Sequence, residues 1–475
     1  MKKIVIVGGG VVGCAVAREM TRFDCEVVVA EKCFDVSEGT SKANSGIVHA
    51  GFDAEVGSKK AKFNVAGNAM FDKLSKELDF PFYRNGAFVL CFDDSGKKSI
   101  QDLAEKGAKN GVKNLFVLTG DEARAKEPAL SDKVKWALYA ADSGIVSPYE
   151  MTLALGENAV ANGAKFEFGF KAVALQKRDD GYLVKSADGR ELYADVVVNC
   201  AGLYADELND LAGSDKKFKI TPRRGQYMLM DKQAGKTVTA TVFQLPTEKG
   251  KGVLVAPTVH GNLLVGPTAE DIDDKSDVDT TFDGLQKAFE TAKISVPSLS
   301  KRDVITQFAG NRAHDDKDDF IVDWTTDAMF TLGGIESPGL TSAPALGEFA
   351  AIRIAEKLTL SKKSHFKNRR IDTPHIANLS NEQYAELVKK DGSYAKIVCR
   401  CERVSEGEIR DSIRRPLGAR DLDGVKRRTR AGMGRCQSGF CCPRILEIIS
   451  EELGIPMEKI TKNSLNGCVL TGRID

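Results

Sequence analysis

No stretch of this 475-residue chain holds the ~18–20 consecutive apolar residues that a membrane span requires. An excess of one charge is also missing. There are 68 Lys and Arg against 67 Asp and Glu, and the net charge of +1 excludes a globally nucleic-acid-binding surface. Met1-Lys2-Lys3 and the apolar residues after it imitate a secretory leader, but the run is short and passes straight into glycines. Cysteine is absent between Cys200 and Cys399. Of the 11 cysteines, five are scattered through the first 200 residues and six fall between Cys399 and Cys468. Without an export signal they point to a reducing, cytoplasmic setting, as core residues, metal ligands or redox groups. What remains is a soluble composition, 42% hydrophobic and 28% charged, long enough for two or three domains.

The chain is organised around residues 1–32. Ile4-Val5-Ile6-Val7 reads as a strand, Gly8-Gly9-Gly10-Val11-Val12-Gly13 as a glycine turn opening a helix, and Val27-Val28-Val29-Ala30 as a second strand ending in Glu31. Gly8 suits a tight turn, Gly10 a close approach to a pyrophosphate, and Gly13 the packing of helix on strand. The helix N-terminus offers free N–H groups to phosphates. Glu31 stands where a ribose-binding acid is expected. The unit therefore predicts a dinucleotide site, with FAD and NAD both open at this point.

Residues 37–53 form a loop of small and polar residues, Gly39 to Gly46 and then Ile47-Val48-His49-Ala50-Gly51, suited to holding a ligand by its backbone and hydroxyls. Helical periodicity follows over 58–78, with further helices over 100–110 and 149–162. Strands are expected at 87–92, 137–140, 165–170, 172–178, 182–186 and 193–198, the last ending in Asn199-Cys200-Ala201-Gly202. Residues 218–332 are strand-rich, including Phe320–Trp324, and predict a mostly antiparallel sheet inserted into the nucleotide fold. Met329 to Gly334, the loop to Thr341 and a helix over 343–357 return to the nucleotide unit. Residues 361–378 are basic and polar and read as a boundary, with His365 and His375 exposed. The fold class expected is α/β and α+β: a Rossmann-like domain over 1–378 and a small helical domain over 395–475. Within the first, the nucleotide parts are about 1–80, 145–215 and 325–360, and the substrate parts 81–144 and 216–324.

The tail carries Cys399-Arg400-Cys401 and, after a gap, Cys436 to Cys442. Paired short spacings deliver two thiolates from each of two turns, as an iron–sulfur cluster requires. Cys399, Cys401, Cys436 and Cys441 are the expected ligands, with Cys442 the rival for the fourth place. Structural zinc is the alternative, although C-x-C fits its usual spacing poorly. Cys14, Cys25, Cys33, Cys91, Cys200 and Cys468 read as packing residues. The run Lys426-Arg427-Arg428-Thr429-Arg430 is a solvated helix face, an offset to thiolate charge, or a docking site for an acidic partner.

Together these segments resemble the D-amino-acid-oxidase-like flavoproteins, and the last 80 residues resemble the [2Fe-2S] domain of bacterioferritin-associated ferredoxin. The combination resembles the large subunit of anaerobic glycerol-3-phosphate dehydrogenases. Asn44 to Gly51 is closer to the L-2-hydroxyglutarate dehydrogenases, so the resemblance leaves the substrate open. It implies FAD, held by Gly8, Gly10, Val12, Gly13, Glu31, Lys32, Thr40, Ser41, Asn44, Ser45, Gly46, Val173, Ala201, Gly202, Gly334, Gly339, Leu340 and Thr341. It also implies a [2Fe-2S] cluster and a flavoprotein or quinone-linked redox partner, which could hold the protein at a membrane.

A flavin dehydrogenase must hold the anionic end of its substrate, aim the C–H at the flavin and accept a proton. Arg312, where the family places a substrate arginine, is the first candidate for the anion, and Arg224 is the second. A guanidinium suits phosphate and carboxylate alike. His49 is the candidate base, with a structural role as the competing reading; His314 is weaker and His260 is expected at a hairpin tip. A flavin paired with a one-electron cluster points to electron export to another protein, hence a dehydrogenase of a small anionic secondary alcohol. Glycerol 3-phosphate leads, an L-2-hydroxy acid follows, and a non-catalytic electron-relay subunit is the alternative of another class.

Overall fold

The structure, a computed structural model, describes all residues except 246–251, 464–466 and 473–475. Its centre is the strand Lys3–Val7, wholly apolar after its first residue and therefore suited to a site buried on both faces. Glu26–Glu31 and Val196–Asn199 flank it in parallel, Lys165–Phe168 and Met329–Gly333 lie outside these, and Ile321–Thr326 closes one edge antiparallel, making six strands. The helices Val11–Met20, Lys59–Leu78, Pro148–Ala161 and Gly339–Leu358 pack together on one side. The antiparallel sheet Ala172–Arg178, Gly181–Ser186 and Glu191–Ala194 covers the other, where Leu175, Tyr182 and Val184 meet Val5, Val7 and Val28.

Two expected strands fall differently. The run 193–198 is broken at Asp195, whose carboxylate accepts the Lys3 N–H and pairs with Lys2; Glu191–Ala194 then joins one sheet and Val196–Asn199 the other. The run at 320–324 belongs to the nucleotide sheet, not the inserted one. It forms a hairpin with Met329–Gly333, and Phe320 and Val322 sink into the nucleotide core.

The inserted sheet has nine strands and is antiparallel apart from the pairing of Thr241–Gln244 with Ala87–Cys91. Its longest ladder joins Ile220–Met230 to Val304–Asp315, with Arg223 opposite Arg312. Gly310 on this ladder lets the cofactor loop come close: a Cβ there would stand 2.0 Å from the Ala43 carbonyl oxygen. The Thr40 hydroxyl donates to the neighbouring Asn311 carbonyl at 2.6 Å.

The C-terminal helices Glu406–Arg414, Leu422–Thr429 and Cys442–Leu453 enclose their own core of Ile409, Val425, Ile445, Ile448 and Ile449. Ser405 and Glu408 cap the first helix reciprocally. The boundary segment is a strap rather than a free linker. Lys363 N–H donates to the Arg22 carbonyl, and Arg370 bonds Glu157 at 2.6 Å and Asp372 at 2.8 Å. His365 is exposed as expected, but His375 is half-buried between Asp372 at 3.3 Å and Glu408 at 3.6 Å. Burial alone would lower its pKa, yet the bonds to these two carboxylates win and lift it to about 10.

Candidate active site

A cavity of about 1830 Å³ opens where the glycine turn, the cofactor loop and the long ladder meet. That exceeds the ~300–1,000 Å³ of ordinary small-molecule sites and leaves room for a dinucleotide beside a substrate. Gly8 adopts φ +115°, and a Cβ there would stand 2.3 Å from the Cys200 carbonyl oxygen; one on Gly13 would stand 1.9 Å from that of Gly8. Gly10 caps the helix without a side chain, and the first turn holds no acid, so its N-terminus can receive an anion. Ser41 Oγ accepts the Val11 N–H at 2.9 Å and ties the cofactor loop to that turn. Glu31 accepts N–H bonds from Gly9 at 2.6 Å and Cys33 at 2.9 Å, while burial raises its pKa. Glycine cradle, open helix end and acid together fit a dinucleotide.

Of the expected cofactor residues, Gly8, Gly10, Val12, Glu31, Lys32, Thr40, Ser41, Asn44, Ser45, Ala201, Gly202, Gly339 and Leu340 line this cavity. Gly13, Gly46, Gly334 and Thr341 stand behind the lining. Gly46, at φ +65°, accepts the Val146 N–H, and Thr341 Oγ1 accepts the His49 N–H at 3.0 Å. Val173 is not in the lining, and its side chain is exposed on the covering sheet.

His49 and Arg312 line the same cavity. The His49 carbonyl accepts from Asn64 at 2.7 Å and Asn68 at 2.9 Å, and its Nε2 lies 3.4 Å from the Ser337 hydroxyl. Arg312 has no carboxylate partner among the described residues; it faces the Tyr227 hydroxyl, whose pKa is raised by burial and partly offset by this cation. Arg224 is corrected. It pairs with Glu270 at 2.9 Å and Asp277 at 2.8 Å, outside the lining. Side chains alternate along a strand, so Arg223, opposite Arg312, takes the cavity side, itself paired with Asp271. His260 sits in the turn before Leu263–Gly266 and bonds Glu150 at 3.0 Å.

Sequence reasoning missed Tyr227, Ser337 and a charged cluster on the cavity wall. There Lys60 Nζ bridges Asp318 at 2.6 Å and Glu336 at 2.9 Å, and His314 Nδ1 bonds Glu336 at 2.9 Å. Burial pushes Glu336 up, but the His314 bond and the Lys60 charge outweigh it and hold its pKa at about 2. Of these, only His314, a weaker candidate base from the sequence, and Ser337, beside the Gly339 loop, carried any signal.

In the tail, Cys401 Sγ meets Cys436 Sγ at 3.6 Å and Cys399 bonds Cys441, so the expected thiols come together. Backbone N–H groups of Glu402 and Gly432 point at Cys399, and that of Cys436 at Cys401. Such bonds suit sulfurs carrying negative charge. Cys442 opens the last helix and packs against its apolar core instead. Cys468 is exposed, not a packing residue as expected.

The basic run is neither a solvated face nor a partner site. Arg427 bonds Asp35 and Glu38 at 2.6 Å each, and the fully buried Arg428 holds Asp35 with both terminal nitrogens at 2.7 Å. Asp35 and Glu38 belong to the cofactor loop's approach, so this helix docks the tail on the nucleotide domain. Arg430 adds Tyr149 at 3.1 Å, Asn262 at 3.2 Å and Glu402 at 2.8 Å.

Residues 3–353 match the FAD dependent oxidoreductase family, and residues 397–451 the BFD-like [2Fe-2S] binding domain. The chain is 47% identical to glycerol 3-phosphate dehydrogenase of Caloramator mitchellensis, over 99% of this chain and 98% of that one. It is 26% identical to the mitochondrial L-2-hydroxyglutarate dehydrogenase of Nematostella vectensis, over 75% and 91%. The solved, dithionite-reduced L-alpha-glycerophosphate oxidase of Mycoplasma pneumoniae with FAD bound superposes with a TM-score of 0.74 at 31% identity, covering 79% of this chain and all of that one. FAD, not NAD, is therefore the dinucleotide, and the cysteine tail carries a [2Fe-2S] cluster rather than zinc. No helix among the described residues is long and apolar enough to cross a membrane. The chain belongs to the FAD dependent oxidoreductase family, as an FAD-dependent dehydrogenase with a BFD-like [2Fe-2S] domain docked on its nucleotide fold.

Proposed function

We propose that this protein oxidises glycerol 3-phosphate to dihydroxyacetone phosphate and exports the electrons through its C-terminal domain. The observation that carries the reading is Arg312: a guanidinium on the cavity wall, beside Tyr227 and in the same cavity as His49, with no carboxylate partner among the described residues. The extent of the likeness to a glycerol 3-phosphate dehydrogenase favours phosphate over carboxylate as its ligand. Bound FAD supplies the hydride acceptor, and the cluster supplies one-electron exit.

The chain's own residues do the rest. Gly8, Gly10 and the helix end hold the pyrophosphate, and Glu31 the adenosine ribose. Arg312 grips the substrate phosphate and so sets the position of C2. His49 Nε2 takes the hydroxyl proton; its backbone is anchored by Thr341, Asn64 and Asn68, and Ser337 faces the ring. Cys399, Cys401, Cys436 and Cys441 hold the cluster. Tyr149 keys the cluster loop to the nucleotide domain, its hydroxyl 3.5 Å from Met433 Sδ and 3.1 Å from Arg430. Tyr149 follows closely on Val146, whose N–H bonds the Gly46 carbonyl of the cofactor loop.

The test is anaerobic bleaching of the flavin by glycerol 3-phosphate beside L-2-hydroxyglutarate. Bleaching by the former, with kcat/KM falling by roughly 10²–10³-fold in Arg312→Ala, is expected from the ~1.5–3 kcal/mol of each charge-assisted bond. No bleaching by glycerol 3-phosphate, or an unchanged Arg312→Ala rate, sinks the reading.

A further inference from the structure

The thiols of the C-terminal domain are not equally placed. Cys399 and Cys441 are buried, Cys436 is half-buried and Cys401 is exposed. The side that reaches solvent is therefore the Cys401–Cys436 edge, where the two sulfurs lie 3.6 Å apart. The residues around this edge do not look like ordinary surface. Phe440, between Cys436 and the last helix, is 88% exposed, and Ile397 is also exposed. Arg400 and Arg403 flank Cys401, both exposed, and neither pairs with a carboxylate among the described residues.

The nearby acids are already spent. Glu402 is buried and held by Arg430 at 2.8 Å and Lys232 at 2.9 Å. Asp231 holds Arg435, and Glu447 holds Arg444. Cys401 and Cys436 lie together, so the exposed aromatic four residues after Cys436 and the unpaired arginines on either side of Cys401 are carried to the same edge, an apolar and cationic combination that suits a small binding surface. The basic helix that could have served an acidic partner is consumed by Asp35 and Glu38, whereas Arg400 and Arg403, either side of Cys401, have no carboxylate partner among the described residues.

We propose that Phe440, Arg400 and Arg403 form the docking surface for an acidic one-electron carrier protein, placed over Cys401 and Cys436. This rests on the electron-exit reading above. Each secondary alcohol oxidised to a ketone releases two electrons and two protons; two carrier molecules each take one electron, and the protons pass to water. Complementary charge steers such short-lived encounters and raises their rate by roughly 10–10³-fold at low salt. Redox encounters also use small interfaces, as this one would be.

The test uses the holoprotein with a matched pair of probes: native cytochrome c, which is basic, and the same protein succinylated to make it acidic. The expected result is that the succinylated form binds at least roughly tenfold more tightly at low salt, and that 0.5 M salt removes the difference. The double variant Arg400→Glu, Arg403→Glu should abolish or reverse that preference, and Phe440→Ala should weaken both probes. Iron, sulfide and anaerobic flavin bleaching should match the parent in all variants. Equal binding of both probes, a preference for the basic form, or an unchanged Kd in the arginine variant overturns the proposal. So does a Phe440→Ala variant that turns a dimer into a monomer in sedimentation, since the occupant would then be a second copy. Failure of the bleaching itself counts against the substrate, while the Kd comparison still reads the surface.

Discussion

Replacing Arg428 by Met should unfasten the C-terminal domain from the nucleotide domain. The side chain is wholly buried and makes two 2.7 Å bonds to Asp35; it also caps the Leu417 carbonyl at 2.9 Å and the Gly424 carbonyl at 3.0 Å. Methionine fills much of the volume but leaves Asp35 with Arg427 alone. Removing one member of a buried ion pair costs about 3–5 kcal/mol. Asp35 gives a second handle on the same interface. Burial pushes its pKa up, but the charges and bonds of Arg428 and then Arg427 outweigh that and hold it at about 2, against 3.8 for an ordinary aspartate. Its folded pKa is depressed, so its contribution is present above the unfolded value and is lost as pH falls toward 2. The gap amounts to about 2.5 kcal/mol.

Calorimetry should therefore show the parent's C-terminal domain melting with the nucleotide domain at pH 7 and separating from it between about pH 4 and 2. Arg428→Met should show the separation already at pH 7. Adding Asp35→Asn should restore at least ~1 kcal/mol, because the orphaned charge is gone and Arg427 keeps Glu38 at 2.6 Å. A single-variant midpoint within 1 °C of the parent, or a double variant worse than the sum of the singles, would refute the reasoning.

Asp421 caps the docked helix through the Gly424 N–H at 2.6 Å, but burial, with Glu38 and Asp35 adding, raises its pKa to about 6. A raised carboxylate pKa costs stability above that value, here up to about 3 kcal/mol, and nothing at low pH. Asn caps as well as Asp, so Asp421→Asn should stabilise the protein at pH 8 and be neutral at pH 4; denaturant midpoints at the two pH values decide it. Cys441→Ser should lose iron and sulfide while Cys442→Ser keeps them, and the reverse result would move the fourth ligand. Glu31→Gln should weaken FAD binding roughly 10–100-fold, as expected for losing a charged hydrogen-bond acceptor; titration of apoprotein by flavin fluorescence would show it, and an unchanged Kd would remove Glu31 from the site.

Local features were legible because their physics is local. Gly8 and Gly13 announced a tight turn and a closely packed helix, and the structure uses both as such, while Gly10 lies in the cavity lining at the head of that helix. The thiol pairs were legible because ligand spacing is a property of the chain. Arg224 misled because two adjacent arginines in a strand differ only in face, and the ladder's register with Arg312 decides which enters the cavity. Val173 was carried by likeness alone, and its side chain faces solvent. The charged cluster of Lys60, His314, Asp318 and Glu336 joins residues from distant segments, with no local pattern to mark it.

The amino-acid order alone thus determined a dinucleotide fold interrupted by a second sheet and followed by a thiol-ligand domain, because glycine geometry, apolar periodicity and cysteine spacing act over a few residues. Tertiary structure alone decided how those parts meet. It turned the basic run inward onto Asp35 and Glu38, aimed Cys441 rather than Cys442 at Cys399, and left Arg312 on the cavity wall without a carboxylate partner among the described residues. Each of these depends on which charge or sulfur from far along the chain arrives opposite, and a buried charge keeps its ionised form only where a partner meets it.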